Sequence, residues 1–289
     1  MPQDLSTKTI QDFGQQWTIY RDNDGFYGST ALLADVLGPL LSLDALKGAR
    51  VAEVGSGTGR IVKMLLESGV GHVTAVEPSD AFAVLCENLK FSEKVTCLHT
   101  TGDQLPHDGN FDIVFSIGVL HHIPDPAPVV DAVFSALRPG GRFLVWLYGK
   151  EGNEFYLRVS TLLRLLTTRL PHFLLVPIVY GLDLALLLYL QLCRLGPLPL
   201  KDYMGIIRNL TPDKRRLVIY DQLKPAFAKY YTREEAEMLL TRKFTEVQSF
   251  HRRRYSWTVI GTKSAQPNTA PPTTDKLNSP SVSYRPQSH

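Results

Sequence analysis

A glycine-rich stretch in the first half of the chain has the residue types and the spacing of a ligand-binding turn. It reads Val51-Ala52-Glu53-Val54-Gly55-Ser56-Gly57-Thr58-Gly59-Arg60. The apolar residues before the turn predict a short strand, and the apolar spacing after it predicts a helix. Glycines let the backbone approach a ligand closely, and a helix N-terminus offers free N–H donors. The stretch therefore predicts a small-molecule site.

The charge beside the turn indicates which small molecule it would bind. The spacing is G-x-G-x-G and not the G-x-G-x-x-G of dinucleotide folds. Glu53 lies two residues before the first glycine, where a carboxylate repels a pyrophosphate and attracts an ammonium group. This favours S-adenosylmethionine, which carries a cationic amine and a sulfonium, over NAD. A glycine-rich turn without any ligand is the alternative.

The elements around the turn alternate between strand and helix patterns. Helices are predicted within 31–43, ending near Gly38-Pro39 or shortly after, at 79–90 with Ser79 as the cap, and at 127–137. Further strands are predicted at 72–76, 95–99, 111–117 and 142–148, the last one after a turn at Pro139-Gly140-Gly141. Such alternation predicts an α/β fold with a doubly wound parallel sheet, whose ligands lie beyond the carboxyl ends of the strands.

Each predicted strand end carries side chains that suit a nucleoside. Glu77 follows the second strand, where a carboxylate can accept both ribose hydroxyls. Asp103 and Gln104 follow the third strand and could meet an adenine amine. The segment SIGVLHHIPDP, residues 116–126, follows the fourth strand and would lie across from the glycine turn. One acidic residue at a strand end is usually a solvated cap, but three features in register indicate a site.

Five segments together carry a family resemblance that covers about residues 48–150. VAEVGSGTG, VEPSD, GDQLP, FDIVFSIGVLHHIPDP and LRPGGRFLV resemble the class I S-adenosylmethionine-dependent methyltransferases, and most closely their quinone-biosynthesis and small-molecule subgroup. The resemblance implies a mostly parallel, seven-stranded Rossmann-like sheet and S-adenosylmethionine as the cofactor. The implied cofactor-binding residues are Glu53, Gly55, Ser56, Gly57, Gly59, Glu77, Pro78, Asp103, Gln104, Ile117 and Gly118.

The chemistry of methyl transfer requires few groups from the protein. The methyl group of a sulfonium is already activated, so alignment and exclusion of water matter most. A general base helps when the acceptor is a hydroxyl or an acidic carbon, and His121 and His122 are the best candidates. The alternative is that this histidine pair is structural. Weaker candidates from flanking segments are Tyr20, Tyr27, Asp183 and Tyr230.

Two other chemistries are disfavoured by the sequence. No set of His, Asp and Glu residues has metal-ligand spacing, so no metal site is expected. Family members that methylate amino groups of nucleic-acid bases usually carry an N/D-P-P-aromatic motif after the fourth strand. Here that position reads Ser116-Ile117-Gly118-Val119, so we expect no nucleic-acid acceptor.

The segment 151–225 predicts a helical, leucine-rich insertion between the fifth and sixth strands. Phe173–Leu195 approaches the length of a membrane span, but Pro177, Gly181, Asp183 and Gln191 interrupt it. We interpret 155–200 as a lid that binds a lipophilic acceptor, with peripheral membrane contact as a further hypothesis. A helical subdomain with its own core, or a dimer interface, is the alternative.

The remaining segments complete the predicted domain organisation. Residues 1–44 form an N-terminal cap whose aromatic rings either cover the cofactor cleft or pack on the core. Residues 45–150 are the cofactor-binding core, and 226–263 supply a helix, capped by Thr232 and Glu235, and two closing strands. Arg252–Arg254 is either an anion site or, preferably, a solvated turn. Residues 264–289, rich in Pro, Ser, Thr and Asn, predict a disordered tail.

Composition fits this interpretation without adding to it. The chain has 289 residues, of which 44% are hydrophobic, and a net charge of +3 that says little about partners. Three cysteines without a C-x-x-C pair, and an N-terminus without an apolar signal region, predict a cytoplasmic protein, peripherally membrane-associated if 155–200 contacts lipid. The predicted function is methyl transfer to a small, lipophilic acceptor. A non-catalytic protein that uses the fold to bind a partner or a membrane is the alternative.

Overall fold

The computed structural model describes residues 2–167, 170–223 and 227–265. They contain a seven-stranded sheet of β1 Arg50–Val54, β2 His72–Val76, β3 Val95–Leu98, β4 Phe111–Ile117, β5 Leu137–Tyr148, β6 Thr245–Arg252 and β7 Ser256–Thr262. The strand order is β3-β2-β1-β4-β5-β7-β6, with β1 to β5 parallel and β7 antiparallel to both of its neighbours. The predicted α/β, mostly parallel, Rossmann-like sheet is confirmed.

Helices cover both faces of the sheet. Those in the described residues are α1 Pro2–Ile19, α2 Thr30–Leu37, α3 Arg60–Glu67, α4 Ala81–Leu89, α5 Ala127–Ala136, α6 Glu154–Thr167, α7 His172–Leu195, α8 Lys201–Arg208, α9 Pro212–Leu223 and α10 Arg233–Thr241. Because side chains of a strand alternate between faces, Val51 of β1 packs with Leu65 of α3, whereas Ala52 packs with Val130 of α5 on the other face. Burial on both faces leaves the strand ends as the edge open to ligands.

One predicted helix boundary agrees with the structure and one differs. The helix predicted to end near Gly38-Pro39 ends at Leu37, because Gly38 adopts a φ of +57° and Pro39 follows it. The helix predicted from Ser79 begins at Ala81. Ser79 still offers its hydroxyl oxygen to the Ala81 N–H at 3.2 Å, but the same hydroxyl donates to Glu77. It therefore joins the helix start to the end of β2.

The turn predicted at Pro139-Gly140-Gly141 is part of β5, and α5 ends at Ala136 before it. The Gly140 N–H donates to the Lys263 carbonyl at 2.9 Å, and the Lys263 N–H donates to Gly141 at 2.8 Å. Pairing with the chain beyond β7 thus extends the segment, which the local sequence could not reveal. The predicted cap of α10 is present, since the Thr232 hydroxyl and the Glu235 carboxylate bond each other's backbone N–H.

Four helices, α6 to α9, occupy most of the segment predicted as the insertion. Two small apolar clusters hold them together, one around Leu190 and Met204 and the other around Leu175 and Tyr220. Asp183 is buried in α7 and forms ion pairs with two arginines of α9, Arg215 and Arg216. In the described residues one helix, Phe173–Leu195, is by length and composition long enough and apolar enough to cross a membrane.

The N-terminal residues pack against the cofactor half of the sheet. Helix α1 contacts α4, and Asn23 bonds Thr58 of the glycine turn through two hydrogen bonds of 2.8 and 3.1 Å. At the other end of the chain, 266–289 of the predicted tail lie outside the described residues.

Candidate functional site

A cavity of about 1010 Å³ lies at the carboxyl ends of β1, β2 and β4. Ligand pockets usually measure about 300–1,000 Å³, so this one has room for a cofactor and an acceptor together. Its wall near the strands includes the glycine turn, Glu77 and Gly118. The opposite wall comes from all four helices of the insertion, through residues such as Tyr156, Leu186, Tyr203 and Asp221.

The glycine turn has the backbone conformation that its sequence requires. Gly55 adopts a φ of +80°, and a Cβ there would lie 2.4 Å from Val119 Cγ2. Gly57 adopts a φ of +53° and faces the Trp17 ring of α1. Gly59 caps α3, but a Cβ there would face Leu85 and Leu89, outside the cavity wall. Of the three glycines, Gly55 and Gly57 therefore face the cavity, together with Ser56.

Glu53 places a buried carboxyl group in the cavity wall. Its side chain is 1% exposed, and Oε2 makes no hydrogen bond within the described part of the chain. Burial raises the pKa of this carboxyl to about 8, against a smaller opposing effect of Ser56. A buried acceptor atom without a partner is uncommon in a folded protein and indicates a place for a donor from a ligand.

Glu77 is also buried and is fixed in place by the backbone of the turn. Its Oε2 accepts the Gly57 N–H at 2.7 Å, and its Oε1 accepts the N–H and the hydroxyl of Ser79 at 2.9 and 2.5 Å. These three donors orient the carboxylate and leave about one of its four lone-pair positions free, on Oε2. Pro78 and Ser79 complete this part of the wall.

The residues predicted at the next two strand ends fall into two groups. Asp103, Ile117 and Gly118 line the cavity, as expected of cofactor contacts. Gln104 does not reach the cavity wall, because residues 102–104 form a short helical turn that directs consecutive side chains differently. Its amide oxygen instead accepts the Thr100 hydroxyl at 2.7 Å. The prediction that Gln104 contacts the cofactor is not supported by the structure.

The two candidate histidines have different surroundings. His121 is fully buried, packs on Tyr148 with 3.9 Å between ring centroids, and lies outside the cavity wall. Burial holds its pKa well below the usual range. The geometry disfavours His121 as a base and favours a structural role, because it cannot reach a bound acceptor.

His122 lines the cavity and has one ring nitrogen fixed. Its Nδ1 lies 2.8 Å from the Phe227 carbonyl oxygen, which can only accept, so Nδ1 carries the hydrogen. Burial lowers the pKa of this imidazole, which favours the neutral ring. The neutral tautomer so defined leaves Nε2 with the lone pair that a general base needs.

A polar cluster that the sequence did not indicate lies at the insertion side of the cavity. The Tyr148 hydroxyl donates to Asp221 Oδ2 at 2.8 Å and accepts from Gln222 Nε2 at 2.8 Å. The Gln222 amide oxygen accepts the hydroxyls of Tyr156 and Tyr230 at 2.8 and 3.1 Å. All five residues line the cavity. Only Tyr230 was among the predicted candidates; the position of Tyr148 at a strand end is the one signal that could have found the cluster.

The other candidates have structural partners or line the wall without polar contact. Tyr27 lines the cavity, with Phe13 and Trp17 of the N-terminal segment, whereas Tyr20 lies outside it and Asp183 is neutralised by α9. Arg252 is 3% exposed and paired with Asp35, which also binds Arg253. Arg252 is therefore not an open anion site, whereas Arg253, with a side chain 46% exposed, and Arg254 lie in an exposed turn, as predicted. Within the described ranges, no three His, Cys, Asp or Glu side chains are grouped as metal ligands.

Comparison with known proteins gives partial matches that agree with this geometry. A family model described as a methyltransferase domain matches residues 52–145. A tRNA U34 carboxymethyltransferase of Pseudoalteromonas translucida is 32% identical over 122 residues, 41% of this chain and 38% of the relative. A ubiquinone biosynthesis O-methyltransferase of Aromatoleum aromaticum is 32% identical over 127 residues, 39% of this chain and 54% of the relative. The chain thus spans between two fifths and about half of the length of these curated relatives.

One solved structure is similar over nearly the whole chain. It is 1,6-didemethyltoxoflavin-N1-methyltransferase of Burkholderia thailandensis, at 19% identity and a TM-score of 0.52, with 91% of each chain covered. At this identity the likeness concerns the fold. The family resemblance of the sequence is confirmed by the family match and by this fold. Residues 52–145 thus match a methyltransferase domain, and the fold of the chain is similar to that of a solved methyltransferase.

Proposed function

We propose that the chain transfers a methyl group from S-adenosylmethionine to a small, lipophilic acceptor bound under the helical insertion. The observation that carries this proposal is the unpartnered Oε2 of Glu53, buried beside the glycine turn of a methyltransferase domain. A buried carboxylate needs a cation, and the amine of S-adenosylmethionine supplies one. The donor set therefore fits this cofactor.

The other cofactor contacts follow from the strand ends. Gly55 and Gly57 allow the methionine end to approach the backbone, with Glu53 at its amine. The Glu77 carboxylate, held by the turn, has about one lone-pair position free, on Oε2, for a ribose hydroxyl. Asp103 would accept from the adenine amine, while Ile117, Gly118 and Pro78 line the bound molecule.

When bound, S-adenosylmethionine supplies an activated methyl group, and the electron pair of the broken carbon–sulfur bond stays on sulfur. The protein's contribution is to hold the acceptor in line and to exclude water. Where the acceptor atom carries a proton, His122 Nε2 is the base on the cavity wall that takes it. His121 supports this ring from behind, with 4.2 Å between the two centroids.

The composition of the acceptor compartment favours a lipophilic molecule. The wall formed by the insertion is largely apolar, and the residues that supply this apolar surface are Leu163, Leu182, Leu186, Met204, Ile206, Ile207, Leu210, Leu217 and Val218. Burying an apolar acceptor against them is favourable by about 25 cal/mol per Å² of surface. We expect an acceptor with a substantial hydrocarbon or aromatic body.

We further propose that the insertion contacts a membrane surface at the cytoplasmic side. Leu184, Leu188, Leu192 and Leu195 of α7 form one stripe at helical spacing and are 51–85% exposed. Exposed leucines of α6, such as Leu166, extend this surface. A contiguous apolar surface of this kind is typical of a membrane or protein contact, and a bilayer would also present a lipophilic acceptor.

Two alternatives are kept as outcomes of experiment. Three of the similar curated proteins are named as tRNA U34 carboxymethyltransferases, so the absence of a nucleic-acid acceptor stays a prediction. It is supported by the aromatic side chains that line the cavity and by Ser116-Ile117-Gly118-Val119 after the fourth strand. A non-catalytic protein with this fold would not need the unpartnered Glu53 or the fixed Glu77.

Calorimetry with S-adenosylmethionine and S-adenosylhomocysteine tests the central proposal. We expect both to bind one site, and Glu77→Ala to weaken binding by roughly ten- to a hundredfold because it removes a charge-assisted contact. Glu87→Ala, an exposed carboxylate of α4 paired only with Lys90, is the control. Absence of binding to the wild-type chain would reject the enzyme interpretation. If both ligands bind, comparison of lipid extracts with and without the gene, for a 14-dalton difference, identifies the acceptor.

A further inference from the structure

Asp221 lines the acceptor compartment, and its carboxylate has no cationic partner among the described residues. Oδ1 accepts the Gln16 amide N–H at 3.2 Å, and Oδ2 accepts the Tyr148 hydroxyl at 2.8 Å. Both donors are neutral. Among the described residues, no Lys or Arg nitrogen lies within ion-pair distance of Asp221. A half-buried negative charge in such surroundings is usually paired, so its partner is expected to come with the ligand.

Within this polar cluster, the Asp221 carboxylate is the group that can still accept hydrogen bonds. Gln222 uses its amide oxygen for Tyr156 and Tyr230 and its N–H for Tyr148. The Tyr148 hydroxyl is used both as a donor and as an acceptor. A carboxylate offers about four lone-pair positions, and two of those of Asp221 are occupied. The cluster therefore fixes the orientation of the Asp221 carboxylate, which can still accept about two further hydrogen bonds.

The surroundings suit a cation and not an anion. The Tyr148 and Tyr230 rings are stacked at 5.2 Å beside the carboxylate, and the faces of aromatic rings attract cations. The arginines of the cavity wall are already engaged, Arg252 with Asp35 and Arg60 with the Tyr27 carbonyl. The neutral His122 ring does not supply the missing charge. The Asp221 carboxylate would itself repel an acidic acceptor at this position.

We propose that Asp221 binds a protonated amine of the acceptor, so that the acceptor is a lipophilic amine. This inference rests on the proposed function, because it concerns the acceptor compartment of the same cavity. Tyr148 is the positioning residue that orients the carboxylate. The ammonium group would donate to Asp221 while the apolar body lies against α7 and α8.

Three matched ligands test the charge preference in the full chain. The probes are 4-phenylbutylamine, 4-phenylbutan-1-ol and 4-phenylbutyrate, added to protein saturated with S-adenosylhomocysteine at neutral pH. We expect the amine to bind about tenfold or more tightly than the alcohol, and the carboxylate most weakly. Equal affinity for amine and alcohol, or no detectable binding of the amine, would overturn the proposal. Saturation with S-adenosylhomocysteine is measured first, so a failure of the cofactor site is seen separately.

Two variants test whether Asp221 causes the preference for the amine over the alcohol. Asp221→Asn keeps the shape and removes the charge, so the preference for the amine over the alcohol should fall to about onefold while S-adenosylhomocysteine still binds. Asp213→Asn is the control on the same helix, because its exposed carboxylate pairs with Arg216 at the surface. Retention of the amine preference in Asp221→Asn would contradict the assignment. If Asp221→Asn does not fold, the order in which the wild-type chain binds the three ligands still tests the proposal.

Discussion

The Glu53 side chain determines how the cavity responds to pH. Its carboxyl group is buried beside the glycine turn, and burial raises its pKa to about 8. Because the pKa in the folded, ligand-free chain lies above that in the unfolded chain, folding takes up a proton between about pH 4.5 and about 8. Stability without ligand should therefore decrease as the pH rises through this range. Burial favours the protonated carboxyl of Glu53 in the ligand-free chain, whereas a bound ammonium group favours the ionised carboxylate.

We expect S-adenosylmethionine to bind more tightly as the pH rises from about 6 to about 7.5, by up to roughly tenfold per pH unit. The reason is that Glu53 must lose one proton before it pairs with the amine. Calorimetry in buffers of different ionisation enthalpy measures this proton release directly. Glu53→Gln should bind more weakly and release no proton. Binding that does not change with pH in the wild-type chain would contradict this role.

At the scale of secondary-structure elements, α7 has one face packed inside the insertion and one face exposed. Its inner face carries Leu175, Val179 and Leu190 in the insertion's own clusters. Its outer face carries the exposed leucine stripe. The ion pairs between Asp183 and the two arginines of α9 neutralise the charged residue inside the helix. The apolar outer face is therefore not needed for packing within the chain.

The element-level prediction concerns vesicle binding. We expect the wild-type chain to sediment with phosphatidylcholine vesicles that contain phosphatidylglycerol, because the exposed Arg194 lies near the C-terminal end of the leucine stripe. Replacing Leu184, Leu188 and Leu192 together by Gln should abolish sedimentation. Phe91→Gln removes a 90% exposed ring outside the insertion and should have no effect. A wild-type chain that ignores vesicles but dimerises through this stripe would instead support a protein interface.

The sequence could predict those parts of the site that depend on neighbours in the chain. The glycine turn was predictable because its spacing requires positive φ angles at Gly55 and Gly57. His121 and His122 were not distinguishable, because they differ only in which side of a short helical turn they occupy. The contact between Tyr148 and Asp221 joins residues 73 positions apart. It depends on how α9 packs over β5, and no local pattern encodes that.

At the scale of the whole molecule, the cavity is a composite of three parts of the chain. The sheet supplies the cofactor side, the insertion supplies the acceptor side, and the N-terminal segment closes the gap between them. Phe13 lies edge-on to His122, with 4.7 Å between ring centroids, and Gln16 bonds Asp221. Phe13 and Gln16 of the N-terminal segment thus contact His122 and Asp221, the two residues for which we propose roles in methyl transfer.

We expect Asn23→Ala to weaken S-adenosylhomocysteine binding although Asn23 lies outside the predicted cofactor residues. The substitution removes both hydrogen bonds to Thr58 and leaves buried groups unsatisfied, at a cost of about 1–3 kcal/mol. Thermal unfolding with and without S-adenosylhomocysteine would show a lower midpoint and a smaller shift on binding. Asn110→Ala, at an exposed position before β4, is the control. An unchanged ligand shift would mean that the turn keeps its shape without Asn23.

Two adjacent residues of the N-terminal segment are held by opposite sides of the cavity. Lys214 of α9, itself buried, donates to the Asp22 carbonyl at 2.6 Å and pairs with its carboxylate at 2.5 Å. The next residue, Asn23, bonds the glycine turn. Because neighbouring Cα atoms are about 3.8 Å apart, one peptide unit links α9 of the insertion to the glycine turn. A displacement of α9 would therefore be transmitted to the glycine turn through two adjacent residues of the N-terminal segment.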